Sequence, residues 1–352
     1  MSKRNANQVL TTIPSNSSTL NLDRIVHEMK EIGINIRRSK EFKTENVFEI
    51  SHQLPLEIKL RSFEEVVTNL TYSSFEGVID VRGDFGFPNY NHFQQLKKLK
   101  LAYPRYAIIV RLNSEVEGGL SLNNRSLLLS ALDEVDAIIE ATSDNDLNKY
   151  SLDLPIISID EDPNKSINSA NLNPHFIDLN NPEMIINFKR ENLLLVVITG
   201  TYNIFHPNHL SYIQTVRQMY PKAKIVIGLD EEKWADERKP GRKRQSLILR
   251  AATIAALFPD ITFVAYNNNS VTNESLIRTL TPCCFLISRS TSQELPLKKQ
   301  NIINLAQEFG VCIGVMPAAE LKNNETPISS TFLESSIDPT LLPNLINKDE
   351  ES

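Results

Sequence analysis

The stretches GDFGFPNYNHF (residues 83–93) and GTYNIFHPNHL (residues 200–210) decide how this chain is read. They lie 117 positions apart. At that offset Phe85 faces Tyr202, Asn91 faces Asn208 and His92 faces His209. The register runs without a gap from Gly83 to Leu112 against Gly200 to Leu229, carrying Tyr103-Pro104 onto Tyr220-Pro221. Farther on, RSLLLSAL (125–132) matches RAATIAAL (250–257) at an offset of 125, so the second copy has gained eight residues in between. A self-match of this length marks a duplicated unit.

Each copy has the same local grammar. An apolar, β-branched run (Gly77 to Val81; Leu193 to Ile198) reads as a buried parallel strand. A glycine-containing turn follows, then a helical stretch (His92 to Leu101; His209 to Met219) and a second strand (Tyr106 to Arg111; Ala223 to Gly228). The Arg-to-Leu block forms the next helix, and a third strand closes the series (Ala137 to Glu140; Ile261 to Ala265). Alternating β and α predicts an α/β chain of two tandem doubly wound, Rossmann-like parallel-sheet domains, with ligands at the carboxyl ends of the strands.

The chain has 352 residues, which suits two domains. Its 37 Lys and Arg against 43 Asp and Glu give a net charge of −6, which argues against a nucleic-acid partner. Three cysteines (Cys283, Cys284, Cys312) are too few for a disulfide framework, fit a reducing compartment, and read as small buried side chains. No C-x-x-C or H-E-x-x-H spacing predicts a structural metal. No apolar run approaches 18 residues, and the polar start lacks a signal-peptide core, so the expectation is a cytoplasmic protein with no membrane partner. Residues 1–21 read as a polar tail. A helix is expected over Leu22 to Arg38, from the spacing of Ile25, Met29, Ile32 and Ile36. The first domain then spans 22–160, an Asn- and Pro-rich linker 161–190, the second domain 191–337 and a tail 338–352.

The second copy carries the residues that could do chemistry. His206 falls just before its helix and His209 in the first turn, so both can point into one crevice. Backbone N–H groups at that helix start and in the turn around Gly200 favour an anion such as a triphosphate. Imidazoles there can donate to phosphate oxygens and stabilise charge that builds during displacement at phosphorus. The basic run RKPGRKR (238–244) reads by itself as a solvated loop or as a phosphate ligand. Trp234 beside it could stack on a base or anchor the loop, and the aromatic turn Phe85 to Tyr90 could pack against copy two.

Four ordered motifs then point one way. Besides the two histidines these are RKPGR (238–242), LILR (247–250), NESLIRTLTP (273–282) and ISST (328–331). In order and spacing, residues 190–337 resemble the nucleotidyltransferase superfamily with the HxGH signature and a cytidylyltransferase-like fold. They are most similar to the adenylyltransferase half of ADP-heptose synthases, then to glycerol-3-phosphate cytidylyltransferases. The resemblance implies a direct displacement, in which a small phosphorylated alcohol or sugar attacks the α-phosphorus of ATP or CTP and pyrophosphate leaves. It implies that His206, His209 and Arg242 are catalytic. It further implies that Thr199, Gly200, Thr201, Tyr202, Asn203, Arg238, Lys239, Arg250, Ser329, Ser330 and Thr331 bind nucleotide or phosphate, and that Mg²⁺ is the cofactor. The superfamily often pairs two such domains, so the two copies are expected to pair within the chain, with a homodimer as the other arrangement.

Several positions depart from the pattern. Asn208 stands at the signature glycine, Asn203 at the turn's aspartate, and Ile287-Ser-Arg replaces a lysine and glycines after the fourth strand. Glu334 stands where a basic residue is common. These changes favour an alternative, a catalytically dead relative serving as a nucleotide-binding, regulatory or assembly protein. Copy one has Asn89 for the first histidine and lacks the basic loop, so it reads as a non-catalytic partner domain with no nucleotide of its own.

Overall fold

The apolar runs of both copies form strands, and they pair in the same register twice over. The computed structural model describes residues 36–38, 47–50, 56–117, 119–142, 147, 154–160, 172, 174–238, 245–267, 272–288 and 296–316. The first unit contains α1 (Phe63–Thr71), β3 (Gly77–Gly83), α2 (Tyr90–Ala102), β4 (Tyr106–Asn113), α3 (Leu122–Ser130), β5 (Ala137–Ala141) and β6 (Ile156–Asp160). The second contains α4 (Pro182–Glu191), β7 (Leu195–Gly200), α5 (Pro207–Met219), β8 (Lys224–Asp230), α6 (Glu232–Arg238), α7 (Leu247–Leu257) and β9 (Thr262–Tyr266). It continues through α8 (Asn273–Leu280), β10 (Cys284–Ser288), α9 (Pro296–Glu308) and β11 (Cys312–Met316). Two further strands, β1 (Ile36–Arg38) and β2 (Val47–Ile50), precede all of these.

The first sheet has the order β5-β4-β3-β6 and the second β1-β2-β11-β10-β7-β8-β9. All ladders are parallel except β1 with β2. Ile79 pairs with Ile108 and, 117 residues on, Val196 pairs with Ile225. Ile109 pairs with Ala137, and Val226 with Thr262, so the eight added residues fall between the second and third strands of the second unit. The match also extends upstream of the stretch legible in sequence. Ile138 donates to the Lys59 carbonyl and accepts from Arg61 N–H, while Phe263 does the same with His175 and Ile177. The architecture is therefore a duplicated α/β fold with two parallel-strand sheets.

Three segments differ from expectation. Ile36–Arg38, expected as the end of a helix, forms β1 and pairs with β2 as an antiparallel ribbon; residues 22–35 of that helix lie outside the described residues. In the ladder the backbone groups of Ile36–Arg38 find partners at the edge of a sheet, which outweighs a helical spacing of isoleucines. Both strands fall in the stretch assigned to the first domain, yet β2 pairs with β11 and extends the second sheet. The stretch read as linker contains α4. There Asn181 caps the helix by accepting from Met184 N–H, and Pro182 sits at the first helical position, where a missing N–H costs nothing.

Helices cover both faces of each sheet. Val197, Val226, Leu276 and Phe285 build one side of the second sheet, and Val196, Ile198, Ile213 and Phe263 the other. The two units meet through helices, α2 against α7 and α3 against α5. Because α2 corresponds to α5 and α3 to α7, the junction is isologous, like the interface of a two-fold dimer folded into one chain. Apolar side chains cross it in both directions. Phe87, Leu120 and Leu128 join the core of the second unit, while Ala256 joins that of the first. Phe85 stays within its own core, and Tyr90 packs against the small cluster of Leu172, Leu249 and Ala252.

Candidate functional site

The candidate site begins where β7 ends. Gly200 is needed there because a Cβ would lie 2.7 Å from the ring of Tyr202. Tyr202 itself takes the left-handed conformation, with φ 49°, and its counterpart Phe85 does likewise with φ 44°. A bulky side chain in that region carries strain, so the tight turn is held by its surroundings in both units. Thr199 lies over Gly228 of β8, whose bare Cα makes room for its methyl group.

The two units then part ways at the helix that follows. In the first, Asn89 caps α2 by a closed reciprocal pair. Its side chain accepts from Asn91 N–H at 3.0 Å, and its own N–H donates to His92 Nδ1 at 3.1 Å. In the second, His206 occupies the cap position of α5 and makes no side-chain cap bond. The His206 and His209 rings instead stack, with centroids 3.7 Å apart and planes 24° apart. Tyr202 and Phe205 flank His209 at 4.7 and 5.8 Å. His209 Nδ1 is buried with no hydrogen-bond partner. The two histidines of the sequence pattern therefore converge, whereas His92 is consumed by capping.

Burial keeps this pair neutral. It holds the His206 imidazole well below its ordinary range, with neighbouring His209 adding to the effect. It pushes His209 down to about 3, opposed by an interaction with the Ile204 backbone. Two imidazoles in face contact cannot both take a proton without a counter-charge. The site thus holds neutral rings that can present N–H to an anion, and an arriving anion would favour the charged form.

Around the pair, polar side chains tie the turn to its neighbours. Thr201 donates its hydroxyl to Asp230 Oδ2 at 2.5 Å, and Asn203 Oδ1 accepts from Gln245 N–H at 2.9 Å. The first unit makes the same crevice tie with other chemistry, Asn113 donating to Asp84. Asn208 is half-buried.

Arg250, expected to bind phosphate, is tied to the backbone around the turn. It is 1% exposed, and its guanidinium donates to the carbonyls of Gln245, Thr201 and Asp230 at 3.0, 2.5 and 2.8 Å. Arg125 makes the matching bonds to Leu120, Asp84 and Asn113, and it does so in the unit that lacks the histidine pair. The two arginines are therefore equivalent bolts that hold turn, strand end and helix start together. Arg238 closes α6. Lys239, Arg242, Ser329, Ser330 and Thr331 lie outside the described residues, as do Arg289 and Glu334.

Other expectations resolve simply. Trp234 packs against the apolar cluster beneath α6, as a loop anchor would. Cys284 and Cys312 pair across β10 and β11. Burial pushes the thiols of Cys283 and Cys312 up to about 12 and about 11, which keeps them unreactive. Sequence reasoning missed Asp230, a buried carboxylate ending the strand KIVIGLD after an apolar run. Its signal was a charge at the carboxyl end of a parallel strand. An open groove of about 350 Å³ lies elsewhere, between α4 and the segment holding His175 and Ile177.

No family model matches the chain, and no curated protein matches it by sequence. Among solved structures it is similar to the lipopolysaccharide core biosynthesis protein from Thermoplasma volcanium GSS1, at 13% identity and a TM-score of 0.29, over 37% of this chain and 98% of that one. Among the described residues, no helix is long and apolar enough to cross a membrane.

Proposed function

We propose that the chain is a nucleotidyltransferase, working in its second unit on ATP or CTP and a small phosphorylated alcohol or sugar. One observation carries this reading. Of two equivalent helix starts, one is fully capped, and the other gives up its cap to set two histidine rings face to face with a buried ring nitrogen left without a partner. Such a breach of local rules, made once in a duplicated fold, marks a site under functional demand.

In the reaction, an oxygen of the acceptor's phosphate forms a bond to the α-phosphorus as the bond to the pyrophosphate oxygen breaks. His206 and His209 donate hydrogen bonds to the triphosphate and spread the charge that gathers there. Backbone N–H groups from Thr199 to Asn203 line the turn the phosphates approach. Arg242, with Arg238 or Lys239, would neutralise the leaving pyrophosphate, and Ser329, Ser330 and Thr331 would add donors from the last helix. Mg²⁺ suits the residues present. Among the described residues no group of three or more His, Cys, Asp or Glu forms a cage. An ion carried by a triphosphate needs only one or two carboxylates, and the Asp230 carboxylate beside the Thr201 hydroxyl supplies hard oxygen donors. When bound, the ion neutralises phosphate charge.

A second reading, a nucleotide-holding relative without turnover, draws on Arg250, whose charge is committed to backbone carbonyls as fully as that of Arg125. Melting curves with ATP, CTP, GTP and UTP plus Mg²⁺, followed by pyrophosphate release against phosphorylated polyols and sugars, separate the two. Stabilisation with turnover, lost by about 10²-fold or more in His209→Ala, supports the enzyme. Stabilisation without turnover on any acceptor supports the relative, and no stabilisation by any nucleotide overturns both.

A further inference from the structure

We propose that the first unit positions the histidine pair of the second, with Phe87 as the contact and the Asn89–His92 cap as the anchor that fixes it. The proposal rests on the reading of His206 and His209 as phosphate ligands.

Phe87 and Ile204 are equivalent residues, 117 positions apart, and both belong to one continuous apolar cluster in the second unit's core. A residue of the first unit's signature turn is therefore built into the same apolar cluster as the second unit's turn. Phe87 is only 5% exposed, in a cluster made mostly of second-unit residues. Next to Ile204 in the chain is Phe205, whose ring stands 5.8 Å from His209 at 38°. His209 in turn stacks on His206. The cluster that Phe87 joins also holds Phe205, and through that ring it reaches His209.

The Phe87 end of that cluster is tied down. Asn89 Nδ2 donates to the Phe87 carbonyl at 3.1 Å, while the rest of Asn89 is locked by Asn91 N–H and His92 Nδ1. Leu120, also in the shared cluster, holds the adjacent residue by donating its N–H to the Gly86 carbonyl at 2.9 Å. In the first unit the positions equivalent to His206 and His209 are Asn89 and His92. They have become a rigid mount. In the second unit His206's side chain makes no cap bond, so the start of α5 lacks the closure that Asn89 gives α2.

The test uses the full chain. The ring C–H signals of His206 and His209 are assigned with His206→Gln and His209→Gln and followed by NMR from pH 5 to 8 in wild type, Phe87→Ala, Phe87→Leu and Asn89→Ala. Binding of inorganic triphosphate with Mg²⁺ is measured alongside. In Phe87→Ala both signals should move, and His209 should begin to titrate toward its ordinary range. Triphosphate binding should weaken by about 10-fold or more, as small displacements of positioning groups do. Phe87→Leu should restore most of both, and Asn89→Ala should move the same signals in the same direction by less. Melting temperatures that fall while both histidine signals stay in place would overturn the proposal and leave Phe87 a packing residue. If Phe87→Ala does not fold, unchanged signals in Asn89→Ala overturn it equally. Failure of wild type to bind triphosphate would overturn the phosphate reading, while the histidine signals would still decide the positioning.

Discussion

Replacing equivalent histidines with phenylalanine should move stability in opposite directions. His92 and His209 each pack against the aromatic residue of a left-handed turn, at 5.1 and 4.7 Å and at nearly equal tilts of 53° and 52°. The extra volume of a phenyl ring meets similar surroundings in both, so that cost largely cancels when the two variants are compared. What differs is Nδ1. In His92→Phe the Asn89 N–H loses its acceptor at a buried helix start, which costs about 1–2 kcal/mol. In His209→Phe a buried nitrogen with no partner is removed, which relieves a penalty of roughly 1–2 kcal/mol. Loss of the Ile204 interaction offsets part of that gain. The difference between the variants should therefore be on the order of 2–3 kcal/mol in favour of His209→Phe, measured without nucleotide. Urea unfolding serves as the assay, followed by the fluorescence of Trp234 for the second unit and by far-UV circular dichroism for the whole chain. Equal stabilities within about 0.5 kcal/mol, or a more damaging His209→Phe, would refute the contrast between a capping and a ligand-ready histidine.

Stability of the second unit should fall with acid. Both imidazoles are held below their ordinary range, so their contribution is complete above about pH 6.5 and is lost as pH falls until each takes its proton, near 3 for His209. Each adds up to about 1.4 kcal/mol per pH unit to the slope, and urea midpoints of a His206→Gln, His209→Gln double variant should flatten it. Arg250→Met and Arg125→Met should each destabilise their unit by about 3 kcal/mol or more, since three backbone carbonyls lose a donor in each case. An Arg250→Met protein of normal stability that fails to bind nucleotide would return Arg250 to the phosphate site. Asp230→Asn places the first unit's residue type in the second, so folding should survive within about 1 kcal/mol while Mg²⁺-dependent stabilisation by ATP or CTP disappears from melting curves.

The duplication was legible because parallel strands buried on both faces spell near-continuous apolar runs, and because a turn as strained as that of Phe85 and Tyr202 constrains its spelling. His206 and His209 were legible for the same reason: they follow that turn at the carboxyl end of a strand. Other features were hidden by their chemistry. Arg250's structural bonds were hidden because an arginine's charge is visible in sequence and the carbonyls it meets are not. Only the matching bonds of Arg125 reveal the structural task. Helix α4 was masked by Asn181 and Pro182, residues that signal a turn in one setting and a helix start in another. The pairing of β2 with β11 could not be read at all, since no local pattern records which distant edge a short strand will join.

That last pairing governs how the chain can fold as it is made. Val47 lies beside Ile313, so the second sheet encloses the whole first unit as an insertion between two of its strands. The first unit's sheet can close once residue 160 has been synthesised. Residues 36–50 must then wait through more than half of the remaining chain for β11, and closing so long a loop is slow. Until it closes, β11 has an open edge that invites association. A fragment cut between the units, at about residue 170, would keep every expected motif yet carry that open edge permanently. Supplying residues 1–55 in trans should restore its solubility.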